Sequence, residues 1–330
     1  MGELLLSRGL PRSIALSVLF LLVGSVNASA QETVQEVAAE CFGADPGLQP
    51  LCLEGALALQ AARGGVGLAA ASLGTPVPGS ASTLGRRFGS LPRLALSVRG
   101  GFVRTDMPDP RAGGVDKRTF WARTVEGGIT VGVLDGFALA PTVGGIFSLD
   151  LFGSAMLVGL SDGAGFAGSV EGLGYGLRLG LLRESFTLPG VTLSVARRSM
   201  AEAKWGRADV DQVSLTFKPT VTSVRAAVGK DLLAFGILGG GGWEGYSGSM
   251  VLAVRDTPGG LSRTGQASSG DFTSDRQLYF GGLSYTFLVL QVSVEGGYAT
   301  GWADAPSRPS GGYDPTKGSS FGSVSGRLTW

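Results

Sequence analysis

From Arg93 to the C-terminus the chain alternates apolar and polar residues in short runs broken by turn signals. That is the period of a strand whose two faces meet different surroundings. Leu94, Leu96, Val98 and Phe102 oppose Arg93, Ser97, Arg99 and Gly101. Val125, Ile129, Val131 and Val133 oppose Thr124, Glu126 and Thr130, and Val143, Phe147 and Leu149 oppose Thr142, Ser148 and Asp150. Leu173, Tyr175, Leu177 and Leu179 oppose Gly174, Gly176 and Arg178. Val191, Leu193 and Val195 oppose Thr192, Ser194 and Arg198, and Leu290, Val292, Val294 and Tyr298 oppose Gln291, Ser293, Glu295 and Gly297. Two stretches are less regular. The apolar parity flips between Val213, Leu215, Phe217 and Val224, Ala226, Val228, across Lys218-Pro219, so this is one strand with a bulge or two strands. Phe235 to Val254 contains Gly239-Gly240-Gly241-Gly242, and its faces stay unassigned.

Connection lengths alternate. Short ones fall at Leu134-Asp135-Gly136, Glu184 to Gly190, Lys230 to Leu233 and Leu288-Val289. Longer polar ones fall at about 105–119, 151–168, 201–210, 255–275 and 303–319. Short turns at one end and long loops at the other are the pattern of an outer-membrane barrel. The expected fold is all-β: a transmembrane antiparallel up-and-down barrel of about ten strands, within a range of eight to twelve.

Composition sharpens this. Of 330 residues 56 are Gly, 16% are charged, and the mean hydropathy is +0.25. The chain is too apolar for disorder and too poor in charge for an ordinary soluble surface. No run of about 18 apolar residues follows the N-terminus, so a transmembrane helix is not expected. A soluble sandwich would put its charges outside. Here they share a face with Gly, Ser and Thr, and the opposite face is steadily apolar. The formal charge of +1 offers no basic domain for nucleic acid.

Residues 1–30 read as a secretory signal peptide, with Arg8 and Arg12 before an apolar stretch from Ser13 to Val26 and a small-residue cleavage site at Ala28-Ser29-Ala30. Residues 31–63 read as a short helical hairpin in the periplasm: Val34, Val37, Ala38 and Cys41 share one helical face, and a second helix spans about Pro50 to Ala62. Cys41 and Cys52 sit one in each part, and in an oxidising compartment they pair most simply with each other, two free thiols being the alternative. Residues 64–91 are a Gly/Ala/Ser/Pro-rich connector, either a linker or a hatch within the barrel, and 92–330 form the barrel itself.

The last strand, FGSVSGRLTW, puts Val324, Leu328 and the terminal Trp330 on one face and Ser323, Ser325, Arg327 and Thr329 on the other. It resembles the closing strand of bacterial outer-membrane β-barrels, whose terminal aromatic is read by the barrel-assembly machinery. The resemblance implies an assembly signal at Trp330, that machinery as a partner during biogenesis, membrane lipid as a second, and the outer membrane of a Gram-negative-type bacterium as the location. The connector also resembles the N-terminal hatch of FadL-like long-chain fatty-acid and hydrocarbon transporters. Their Asn-Pro-Ala-Gly signature is missing, and Pro78-Gly79-Ser80-Ala81 stands in its place.

The chain has no His. That removes Ser-His-Asp catalysis and His-dependent metal sites. Glu126 and Glu295 are the inward candidates for a paired-carboxylate site, and they read instead as lumen salt bridges to residues such as Arg99, Arg178 or Arg225. No catalytic residue, metal or cofactor is expected. The expected lumen-facing set is Arg93, Arg99, Glu126, Arg178, Arg198, Arg225, Glu295 and Arg327. At eight to ten strands the interior is narrow, so side chains can fill it. Two functions follow: porin-like transport of a small or hydrophobic solute, or a closed structural or surface-interaction barrel.

Overall fold

The structure is a computed structural model that describes residues 33–71, 74–87, 91–112, 116–138, 144–269, 272–302 and 312–330. The signal-peptide reading, and Thr142 and Val143, lie outside them. Helix α1 (Val34–Phe42) opens on a capping box, in which the Thr33 side chain accepts from the Glu36 amide and the Glu36 carboxylate accepts from the Thr33 amide. A single 3₁₀ turn leads into helix α2 (Gln49–Ala70), and Cys41 and Cys52 are joined in a disulfide that clips the two helices.

The strands follow in order: β1 (Arg86–Arg87), β2 (Leu91–Pro92), β3 (Leu94–Asp109), β4 (Asp116–Leu134), β5 (Ser148–Leu160), β6 (Ser169–Leu182), β7 (Gly190–Met200), β8 (Ala203–Trp205), β9 (Val213–Phe217), β10 (Thr220–Leu232), β11 (Phe235–Ser247), β12 (Met250–Asp256), β13 (Arg263–Ser269), β14 (Ser274–Phe287), β15 (Leu290–Ala299) and β16 (Ser319–Thr329). Ten of them close an antiparallel barrel in the order β10-β11-β14-β15-β16-β3-β4-β5-β6-β7. The seam is sealed where Leu94 and Trp330 exchange backbone hydrogen bonds of 3.0 Å each way. β8, β9, β12 and β13 form a separate four-stranded cap sheet, carried by the long connections after β7 and β11.

The outer face of the wall is apolar and exposed: Val98 is 63% exposed, Val125 61% and Val294 56%. So large an apolar surface is stable only against lipid, and a closed barrel leaves no strand edge unpaired there. No described helix is long and apolar enough to cross a membrane. The protein is an outer-membrane β-barrel.

Several boundaries differ from the sequence reading. The 213–228 stretch is two elements: β9 belongs to the cap and β10 to the wall, so the wall still counts ten strands. Residues 151–160, expected in a long loop, are the body of β5, and Phe147 lies in the turn before it with φ 59°. The run 142–150 alternates by residue type, but of its described residues 144–147 precede the strand. Gly239 to Gly242 lie within β11. α1 packs on β13 and α2 contacts β9 and β12, so the hairpin lies at the end of the barrel that carries the long connections.

Candidate functional site: a lumen filled by the N-terminal segment

From the cap, α2 descends into the barrel. Nearly every residue from Cys52 to Ala70 is buried, on all sides of the helix. Three of its four glycines, Gly64, Gly65 and Gly67, follow closely on one another and would ordinarily weaken a helix by about 1 kcal/mol each. Here they make room. A Cβ at Gly67 would come within 2.6 Å of the Tyr246 ring, and Cβ atoms at Gly64 and Gly65 would overlap Trp302 and Phe120. The helix therefore continues to Ala70, past Gly64, where the sequence suggests that the connector begins.

Residues 74–85 continue through the lumen as irregular chain. Such a segment carries amides and carbonyls with no ladder to satisfy them, and these must find partners when buried. The inward side chains of the wall supply them. Glu295 accepts from the Thr75 amide at 2.8 Å, the Thr75 hydroxyl at 2.7 Å and the Gly79 amide at 2.9 Å. Arg99 donates to the Thr75 carbonyl at 2.6 Å. Arg225 donates to the carbonyls of Ala71, at 2.8 Å, and Gly74. Arg178 donates to Ser80 at 3.0 Å and to Ser82. Asp150 accepts from the Leu84 amide at 2.9 Å, and Arg86 reaches the Val133 carbonyl at 2.6 Å near the short-turn end. Higher up, Arg276 and Thr124 donate to the α2 carbonyls of Gly64 and Ala69 at 2.7 and 2.8 Å.

The ionic set is thus shared between wall and plug. Arg99 lies 3.8 Å from Glu126 and 4.0 Å from Glu295, and Arg225 pairs with Glu244. Arg198 is 1% exposed and donates to Ser223 at 3.3 Å. Arg327 is on the inner face of β16, opposite Gln291 and Ser97. Arg93 is the exception in the expected set. It precedes β3, is exposed at the rim, and reaches the Leu84 carbonyl at 3.4 Å, because the wall begins one residue later.

Glu244, Tyr246 and Arg276 were not singled out in the sequence. The Tyr246 hydroxyl donates to Glu244 and accepts from Arg276 Nε at 2.9 Å, and the Tyr246 and Trp302 rings meet edge-on at 5.5 Å. Glu244 and Tyr246 sit after the glycine run of β11, whose outer face is marked by Ile237 and Trp243, both exposed. Arg276 sits in β14, whose inner face mixes Ser274 and Arg276 with Leu278 and Phe280, so residue type does not mark the face there.

Between Pro76, Pro78, Arg99 and Glu126 the void is about 10 Å³, room for one water. At the short-turn end a wider vestibule of about 780 Å³ is lined by Ser82 to Leu84, Arg86, Arg93, Arg183 and Lys230 among others. Among the described residues no group of three or more His, Cys, Asp or Glu is placed to hold a metal ion.

No protein-family model matches the chain, and no curated protein matches it. Solved structures are similar in shape. The outer membrane protease OmpT from Escherichia coli is 10% identical over 72% of this chain and 96% of its own, with a TM-score of 0.36. The translocator domain of the autotransporter NalP from Neisseria meningitidis is 10% identical over 72% of this chain and 87% of its own, with a TM-score of 0.37. The Pseudomonas putida toluene transporter TodX is 8% identical over 72% and 88%, with a TM-score of 0.30. These likenesses are too distant to bear on activity or substrate. The assignment as a barrel rests on the geometry above.

Proposed function

We propose that this is a self-plugged outer-membrane barrel without transport activity in its resting form, acting through the surface that the helical hairpin and cap sheet present at the long-connection end. The observation that carries this is the filled lumen: charged side chains of the wall are spent on the backbone of residues 71–86, and the void left beside them holds about one water. We assign the long-connection end to the outside of the cell, because short turns and the C-terminus belong to the periplasmic side of such barrels. The hairpin is then displayed outside. Trp330, which closes the seam with Leu94, keeps its proposed role as assembly signal. Replacing it with Asp should lower assembled barrel in cells while folding into synthetic bilayers persists.

Planar-bilayer recording tests the closed reading. The full chain should give no steady steps, and a variant lacking residues 34–87 should conduct. Steady steps from the full chain would overturn it in favour of a porin-like barrel. One observation favours a second reading, transport of a small or hydrophobic solute by movement of the connector. The vestibule reaches Ser82 to Leu84, and residues 74–85 hold no regular secondary structure. Solute uptake that stops when the connector is cross-linked to the wall would support it.

A further inference from the structure

The outer wall carries a patch that does not fit plain hydrocarbon. Outward residues of β3 run Leu96, Val98, Gly100, Phe102 and then switch to Arg104 and Asp106. Those of β4, read in the same direction, run Ile129, Gly127, Val125 and then switch to Arg123. The register pairs Arg104 with Trp121 and Arg123 with Phe102, so the two arginines sit together where the apolar band ends. The Phe102 and Trp121 rings are 5.8 Å apart, and the Arg104 guanidinium lies 5.9 Å from the Trp121 ring. Aromatic rings at this height mark the membrane interface.

Among the described residues no carboxylate is paired with either arginine. Across the ladder Arg104 faces Ser320, and Arg123 faces Gly159. Asp106, the next outward residue of β3, is engaged by Lys117 at 3.3 Å and by the Thr119 hydroxyl at 2.6 Å. A guanidinium at the edge of hydrocarbon is unfavourable unless an anion meets it there. Directly toward the membrane centre lies a groove of about 640 Å³, with Gly100 and Gly322 among its lining and Phe102, Trp121, Val294 and Val324 along it. A Cβ at Gly100 would meet nothing within 4 Å, whereas one at Gly322 would press on the Phe102 ring at 2.9 Å.

We propose that this patch binds a phosphorylated lipid, with the phosphate between Arg104 and Arg123 and an acyl chain in the groove beneath them. Arginine suits the role because its planar fork meets phosphate oxygens in pairs and stacks on an aromatic face at the same time. The groove supplies what a free anion would not need, a long apolar slot continuous with the charged end.

Trp121 reads the site once the other exposed tryptophans, Trp243 and Trp330, are replaced by Phe in every form compared. The full chain is refolded into phosphatidylcholine vesicles containing increasing fractions of brominated phosphatidylglycerol or brominated phosphatidylcholine, and tryptophan quenching is followed. The anionic lipid should half-quench at a fraction lower by about fivefold to tenfold. In the pair Arg104→Gln with Arg123→Gln that ratio should fall to near one. Gly100→Leu keeps both arginines and fills the groove, and should reduce the ratio by about threefold; it also serves if the glutamine pair does not fold. Equal quenching by the two lipids in the unmodified chain would overturn the proposal, as would an unchanged ratio in the glutamine pair or in Gly100→Leu. Collapse of the ratio in excess inorganic phosphate would make the patch a free-anion site and overturn the lipid assignment.

Discussion

Along β15, Val292 and Val294 face lipid while Gln291, Ser293 and Glu295 face the lumen. Along α2, from Cys52 to Ala70, almost every side chain is buried whichever way it points. The wall separates two surroundings and so carries a period of two. The plug meets one surrounding on all sides, so direction matters little and size matters most. That is why the wall uses Val, Leu and Tyr against Ser, Arg and Glu, whereas the plug uses Ala and Gly. A substitution in the wall is judged by which face it occupies, and one in the plug by whether its volume fits.

The sharpest way to break this contrast compares neighbours in β15. Val294→Arg puts a charge in lipid and should lower folding into bilayers by about 2–4 kcal/mol if it lies near the midplane, read by urea titration in vesicles. Ser293→Arg points inward against Gly79, whose Cβ position lies 2.9 Å from the Ser293 Cβ. It should leave the barrel folded and dislodge the connector, seen as new conductance. Equal loss of folding at both sites would reject the register.

Next in size is the clip on the hairpin. Replacing Cys41 and Cys52 by Ser should remove about 2–4 kcal/mol from the ordering of the N-terminal segment. Proteolysis should then cut near 34–48 first, while the barrel stays folded and resists the protease, because the bridge lies wholly within the N-terminal segment. Alkylation of both residues in protein purified without reductant would rule the bridge out.

Gly65→Leu separates local preference from packing. In an isolated peptide of residues 49–70 it should raise helicity, worth about 1 kcal/mol. In the protein it meets Phe120 and Thr105 and should destabilise the plug by about 1–3 kcal/mol, read as faster amide exchange in α2. Slower exchange would mean that the lumen is looser than described.

The last test concerns Glu54, 7% exposed near the top of α2, whose pKa burial pushes up to about 7. The folded state then holds a proton that the unfolded chain releases at ordinary carboxylate pH. The stability of the plug should therefore decline as pH rises from about 4.5 toward 7 and level off above it. Glu54→Gln should flatten that decline and gain most at pH above 7. Exchange rates of α2 amides measured across this range check it, and an unchanged slope in the variant would assign the dependence elsewhere.

Part of this molecule was legible locally. Period two along β3, β4, β6, β7, β10, β15 and β16 separates outer from inner side chains, the alternation of short and long connections leads to ten strands, and an exported-looking chain with two cysteines suggests their bridge. These readings work because each depends on neighbours within a few residues and on two unlike surroundings across one sheet. Where the reading failed, the deciding partners were distant. Whether 151–160 was loop or strand depended on pairing with β4 and β6, since Gly153 and Gly159 weaken any local signal.

By itself the sequence determined an exported-looking chain, a barrel wall with an apolar outside, a polar and arginine-rich inside, and a helical hairpin before it. Only the tertiary structure decided where that hairpin goes and what the inner charges do. Gly64, Gly65 and Gly67 argue against a helix until Trp302, Phe120 and Tyr246 are packed on it, and those rings come from positions 55 to 238 residues away. Glu295 and Arg225 could have faced water in a pore as well as a plug. Their partners are backbone groups of Ala71 to Gly79, and a backbone amide or carbonyl leaves no mark in a sequence to say which side chain will meet it.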